Sequence, residues 1–80
     1  MMNSAGIAEL WTLTQANDSV RCVAALHPMG IELRYVMNEH PLITRVFDTW
    51  DALMGQAGQW RAGLESRGWQ DVRRRRAKVA

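Results

Sequence analysis

The chain is poor in several things at once. Its 80 residues include one cysteine, two prolines, one tyrosine and one phenylalanine. A single thiol, Cys22, excludes an internal disulfide and any zinc site built on several thiolates. Its neighbours at period two, Val20, Ala24 and Leu26, are apolar, so Cys22 reads as a buried small hydrophobe, with a disulfide-linked dimer as the alternative. No apolar run approaches the roughly 18 residues of a transmembrane span. The first residues lack a basic segment followed by an apolar core, so a cytoplasmic location is expected.

Signals for chemistry are equally sparse. The two histidines, His27 and His40, fall near opposite ends of one expected strand, on the order of 20 Å apart at ~3.3 Å per residue, and cannot share a metal. Ser4, Ser19 and Ser66 lie at a ragged end, a turn and a helix end, with no nucleophile elbow around any of them. No glycine-rich loop opens a helix, so a phosphate cradle is unsupported. We therefore assign no catalytic residue, no metal ligand and no cofactor, and the chain does not read as an enzyme.

What is present is a small globular domain. Hydrophobic residues make up 48% and charged residues 22%, which argues against disorder along most of the chain. A domain this short buries only about 60–65% of its unfolded surface, so its four tryptophans matter to the core. At their spacing they read chiefly as core residues, with Trp69 the one expected to be partly exposed. Charge is uneven. Residues 1–69 carry five Arg against seven Asp and Glu, net −2, while residues 70–80 carry Arg73, Arg74, Arg75, Arg76 and Lys78 against Asp71, net +4. The pI of about 9.3 thus describes mainly the end of the chain.

Period-two alternation, interrupted by turn residues, marks four short strands at Leu10–Thr14, Val20–His27, Ile31–Met37 and Leu42–Phe47. The clusters 15–19, 27–30 and 38–41 supply the turns. The fourth strand is ambiguous, because Leu42, Thr44 and Val46 alternate with Ile43, Arg45 and Phe47 without a clear polar side. A helix follows over Asp48–Trp69, its apolar stripe formed by Trp50, Leu53, Met54, Ala57, Trp60 and Leu64. Asp48 is the expected N-cap, and Gly68 with Trp69 suits a Schellman stop folding back on Leu64. Gly55, Gly58 and Gly63 each cost about 0.8–1 kcal/mol inside a helix, so packing must hold it.

The expected fold is α+β: an antiparallel four-stranded meander with one C-terminal amphipathic helix packed on one face. Residues 1–9 form a flexible lead-in, 10–69 a single domain and 70–80 a basic tail. Trp11, Leu13, Val20, Cys22, Leu26, Ile31, Leu33 and Tyr35 face the helix. One helix covers one side of a sheet, so the other side, with Arg21, Val23, Ala25, Glu32, Arg34, Val36 and Arg45, meets water or a partner. Arginine beside aliphatic residues suits an interface, because the guanidinium is a planar fork on a stem that tolerates burial. The plainer reading is an exposed β-face that carries Arg and Val at little cost.

The succession Leu10-Trp11-Thr12-Leu13, His27-Pro28-Met29-Gly30-Ile31-Glu32-Leu33-Arg34, Arg45-Val46-Phe47, then Trp60-Arg61-Ala62-Gly63-Leu64 and Gly68-Trp69 resembles small single-domain proteins of bacteria and their phages. Anti-CRISPR proteins are among these. The resemblance covers residues 10–69, and its motifs are structural, so it carries over no contact residue. It implies a non-enzymatic inhibitor that binds a CRISPR effector subunit and obstructs target-DNA binding. The residues that suit such a partner are Arg21, Val23, Arg34, Val36 and Arg45. The alternative is a nucleic-acid-binding accessory protein using Arg73 to Arg76 and Lys78, which would hold phosphates in a salt-sensitive way. The same sheet face also suits a homodimer, so monomer and homodimer both stand.

Overall fold

Alternating apolar residues cannot all be buried by a lone hairpin, so successive strands pair until the sheet has a face wide enough for a helix to cover. The computed structural model, which describes residues 7–72, shows this arrangement. Strands β1 (Ile7–Gln15), β2 (Asp18–His27), β3 (Gly30–Met37) and β4 (His40–Phe47) form an antiparallel meander, followed by helix α1 (Trp50–Glu65) and a two-residue strand β5 (Gln70–Asp71). The sheet order is β4-β3-β2-β1-β5. β5 returns antiparallel to β1, pairing Asp71 with Leu13 and Gln70 with Thr14. The strands are longer than their alternation suggested: Ile7–Glu9 belongs to β1 rather than to a lead-in, and the first residues of the expected tail enter the sheet.

All three hairpin turns are two residues long. The β3–β4 turn places Asn38 at φ 48 and Glu39 at φ 69, the left-handed pair of a type I′ turn whose twist matches that of its strands. Asn38 also ties this turn to the start of β2: its N–H donates to Ser19 O (2.9 Å), its Oδ1 accepts from Ser19 N (2.9 Å), and its Nδ2 donates to Asp18 Oδ1 (3.1 Å). At the opposite end of the sheet Gly30, at φ 149, sits so close to the Phe47 carbonyl that a Cβ there would collide with it. His27 belongs to this end, its Nδ1 accepting from Met29 N–H (2.9 Å) and closing the turn.

The core lies between α1 and the sheet: Trp11, Leu13, Val20, Cys22, Ala24, Ile31 and Leu33 from the strands, with Leu53 and Ala57 from the helix. Trp11 Nε1 donates to Ala57 O (3.2 Å), which satisfies the indole and fixes the helix against β1. Tyr35 packs edge-on against Trp60, with ring centroids 5.3 Å apart. Thr49, not Asp48, is the N-cap, its side chain accepting from Ala52 N–H (3.2 Å), while Asp51 stands in the first turn. The helix stop is as expected: Trp69 N–H donates to Leu64 O and Gly68 N–H to Glu65 O (both 3.1 Å), with Gly68 at φ 96.

The apolar stripe of α1 is narrower than its spacing implied. Leu53 and Ala57 are buried and Trp60 and Leu64 half-buried, but Trp50 and Met54 are exposed. Among the tryptophans Trp50 is the most open to solvent, while Trp69 is partly exposed as expected, with the rest of its ring packed on the core. Leu26, expected in the core, is 72% exposed. Its partner Ile31 is buried, yet the pairing of β1 with β2 runs only as far as Ala25, so Leu26 lies beyond the reach of that neighbour.

Candidate functional site

The face away from the helix is assembled by register. Across β2 and β3, Arg21 stands opposite Val36, Val23 opposite Arg34 and Ala25 opposite Glu32. Each of the two valines therefore lies beside an arginine stem. Long charged side chains can shield apolar surface with their methylenes while their heads stay wet. Although no helix lies over this side, Val23, Ala25 and Val36 are only 6–7% exposed. Between them and the charged heads lies a shallow groove of about 460 Å³, floored by Val23 and Val36 and bounded by Arg21, Arg34, Glu32 and Glu39, with Ile7, Pro41 and Thr44 at its ends.

Every guanidinium here has a carboxylate. Arg21 reaches Glu39 Oε1 through Nη2 (2.9 Å) and Glu9 Oε1 through Nη1 (3.9 Å), and Arg34 Nε donates to Glu32 Oε2. Two arginines against Glu9, Glu32 and Glu39 leave this cluster at net −1. One donor has no counterpart: Arg21 Nε is shielded from water and has no hydrogen-bond partner. Buried N–H groups are nearly always satisfied, so this orphan donor costs the folded chain free energy that a movement of the Arg21 head toward an acceptor would recover. Glu39 contributes to the same wall from a left-handed backbone, which costs a non-glycine residue on the order of 1 kcal/mol. That conformation accompanies the approach of its carboxylate to Arg21.

Of the five residues expected to bind a partner, Arg21, Val23, Arg34 and Val36 come together in this groove, the valines as its buried floor. Arg45 does not join them. It pairs with Leu33, so its side chain lies on the helix side, where Nη1 donates to Gln56 Oε1 (3.2 Å) and the guanidinium stands over Phe47, 5.7 Å from the ring centroid. The cause is a register shift between Tyr35 and Val36 that leaves Leu42 as the extra residue of β4 and assigns Ile43, Arg45 and Phe47 to the helix side, Thr44 and Val46 to the groove side. The groove residues that alternation alone missed are Ile7, Glu39, Pro41 and Thr44, with Glu9 beside them on Arg21. Of these, Glu39 had a signal, since Asn-X between two alternating runs marks a two-residue hairpin. Arg73, Arg74, Arg75, Arg76 and Lys78 lie outside the described residues.

Elsewhere the chemistry is quiet. Burial pushes the Cys22 thiol up to about 12, far from the thiolate that nucleophilic attack or metal binding requires. Burial also raises the Tyr35 hydroxyl above its usual range, with the nearby Arg67 charge opposing the shift. Among the described residues no group of three His, Cys, Asp or Glu stands close enough to hold a metal ion, and no helix is long and apolar enough to cross a membrane. The face away from the helix thus combines an aliphatic floor, paired guanidinium groups and one orphan donor. Compared with known protein families, curated proteins and solved structures, the chain matches none.

Proposed function

We propose that this chain is a non-enzymatic binding protein that docks on another protein through the groove of Arg21, Val23, Arg34 and Val36. The observation that carries this reading is the pairing of both arginines with glutamates over an aliphatic floor, which leaves the face mildly acidic. Such a face repels a nucleic-acid backbone and suits a protein surface with its own mixed charges. In the form implied by the resemblance to anti-CRISPR proteins, the partner is a CRISPR effector subunit in a bacterial cytoplasm, and docking obstructs target-DNA binding. The test is capture of the partner from a bacterial lysate containing CRISPR effectors, with and without nuclease, together with an assay of effector activity. The double variant Arg21→Glu/Arg34→Glu should lose capture and inhibition while its circular dichroism is unchanged. Arg45→Glu, on the other side of the sheet, should retain both. Retention by the folded double variant overturns the groove as the binding surface.

A second reading rests on the net +4 of residues 70–80. There, deletion of residues 73–80 abolishes a salt-sensitive DNA or RNA shift, and an absent or salt-insensitive shift dismisses that reading.

A further inference from the structure

The two edges of the sheet differ. β1 carries β5 over Leu13 and Thr14, whereas β4 has no neighbour beyond it among the described residues. Along β4, Leu42, Ile43 and Val46 are 58%, 40% and 42% exposed. An exposed edge with apolar side chains presents unpaired N–H and C=O groups and is a template for another strand. Pro41 and the extra residue at Leu42 blunt only its first part.

Which groups face outward follows from the ladder. In an antiparallel pair a residue directs both its N–H and its C=O to one side, and successive residues alternate. Asn38 N–H points to Ser19 at the start of β2, so the even-numbered residues of β3 face β2 and the odd-numbered ones face β4. Ile31, Leu33 and Tyr35 therefore bond to Phe47, Arg45 and Ile43, which leaves the N–H and C=O of Thr44 and Val46 directed away from the sheet.

We infer that β4 pairs with β4 of a second copy of this chain, antiparallel about a two-fold axis through Thr44, so that two five-stranded sheets become one. Three features favour this chain's own strand as the occupant. A two-fold at Thr44 matches its outward donor and acceptor with the same pair on the other copy and brings the exposed Leu42 and Val46 of both copies along one seam. The one charge within Leu42–Phe47, Arg45, is drawn back over Phe47 and Gln56, which lessens repulsion between identical edges. Pro41 and Thr44 line the groove, so the pairing also joins the two grooves across the axis. The ladder is short, which predicts a weak, concentration-dependent dimer. The inference holds whatever the groove binds.

Sedimentation velocity from low to high micromolar concentration tests it. The chain should shift from monomer to dimer. Thr44→Pro removes an outward N–H without breaking a bond to β3, and Leu42→Lys/Val46→Lys places charges on the edge; each should weaken the dimer at least tenfold. The lysine variant carries the test if Thr44→Pro loses its native circular dichroism. Residues that exchange hydrogen bonds across an antiparallel pair have Cα atoms about 5.5 Å apart, within disulfide range. Thr44→Cys should therefore cross-link between copies under an added oxidant, while the wild type, its own thiol buried, should not. A monomer throughout overturns the inference and leaves the edge to a strand of some other protein. So does a dimer that survives the lysine variant and fails to cross-link at position 44.

Discussion

The two faces of the sheet reach similar burial by different means. On one, a helix excludes water from Leu13, Leu33 and Leu53, all fully buried. On the other, Val23 and Val36 lie nearly as deep with only side chains beside them, chiefly arginines tied to glutamates of the same strand, a neighbouring strand and a turn. A helix gives permanent cover. Long side chains on an exposed face can rotate away, so the second face is the one that can exchange its cover for a partner. The sharpest way to break this comparison is to show that both faces respond alike.

They should not. Leu53→Ala opens a cavity under the helix, where few neighbours can collapse into it, and is expected to cost about 2–5 kcal/mol in urea unfolding. Val23→Ala removes two methyl groups from the groove floor. The Arg21 and Arg34 stems can settle into the space, so the loss should stay near the transfer value, about 1.5 kcal/mol. Equal losses at the two sites would mean that the groove wall is as rigid as the helix.

Raising the pH probes the helix-covered face alone. The thiol of Cys22 is raised from an ordinary 9.0 to about 12. Its contribution is fully present below pH 9 and is lost progressively as the pH climbs toward 12, because the unfolded chain ionises first. Tyr35, also raised, adds to the loss above its ordinary 10.0. Stability should fall by about 1 kcal/mol between pH 8 and pH 10, and Cys22→Ala should flatten most of that slope. In the native state at pH 8 Cys22 should resist alkylation.

Much of the helix-covered face is legible in sequence because β2 and β3 alternate cleanly there and the turn residues set their limits. Leu26 shows where this stops. Period two tells which face a residue joins but not how far the neighbouring elements extend over that face. β4 fails for a different reason: an edge strand is exposed on both sides, so selection for one polar and one apolar face is weak, and the extra residue at Leu42 then breaks the parity on which Arg45 was placed. β5 is two residues long and has no alternation to read. The groove arginines were visible from period two, as was Glu32 two residues from Arg34 on β3, but Glu9 and Glu39 reach Arg21 through the pairing of neighbouring strands, which no local pattern encodes.

Glu39 joins turn and groove, and its substitution sharpens the comparison further. Glu39→Gly relieves a left-handed non-glycine residue, worth roughly 1 kcal/mol, and gives up an exposed ion pair worth about 0–1 kcal/mol. The expected result is a stability change within a few tenths of a kcal/mol of zero or slightly favourable, with weaker partner capture. A clear loss of stability would show that the ion pair contributes more than an exposed pair ordinarily does.

The smallest expected effect is the most diagnostic. Arg21 holds two partly exposed carboxylates, contributions that solvent screens, and its Nε has no partner at all. Methionine keeps an unbranched stem beside Val36 and removes the orphan donor, so Arg21→Met should alter stability by less than about 0.5 kcal/mol. Arg21→Ala strips the stem as well and should be the more costly, since it opens Val36 to water. If the groove owes its burial to aliphatic stems and its recognition to guanidinium groups, the two variants will differ where charge alone predicts no difference: equal loss of charge, unequal loss of stability, and loss of partner capture in both. Equal stabilities for Met and Ala would mean that Val36 is kept dry by something other than Arg21.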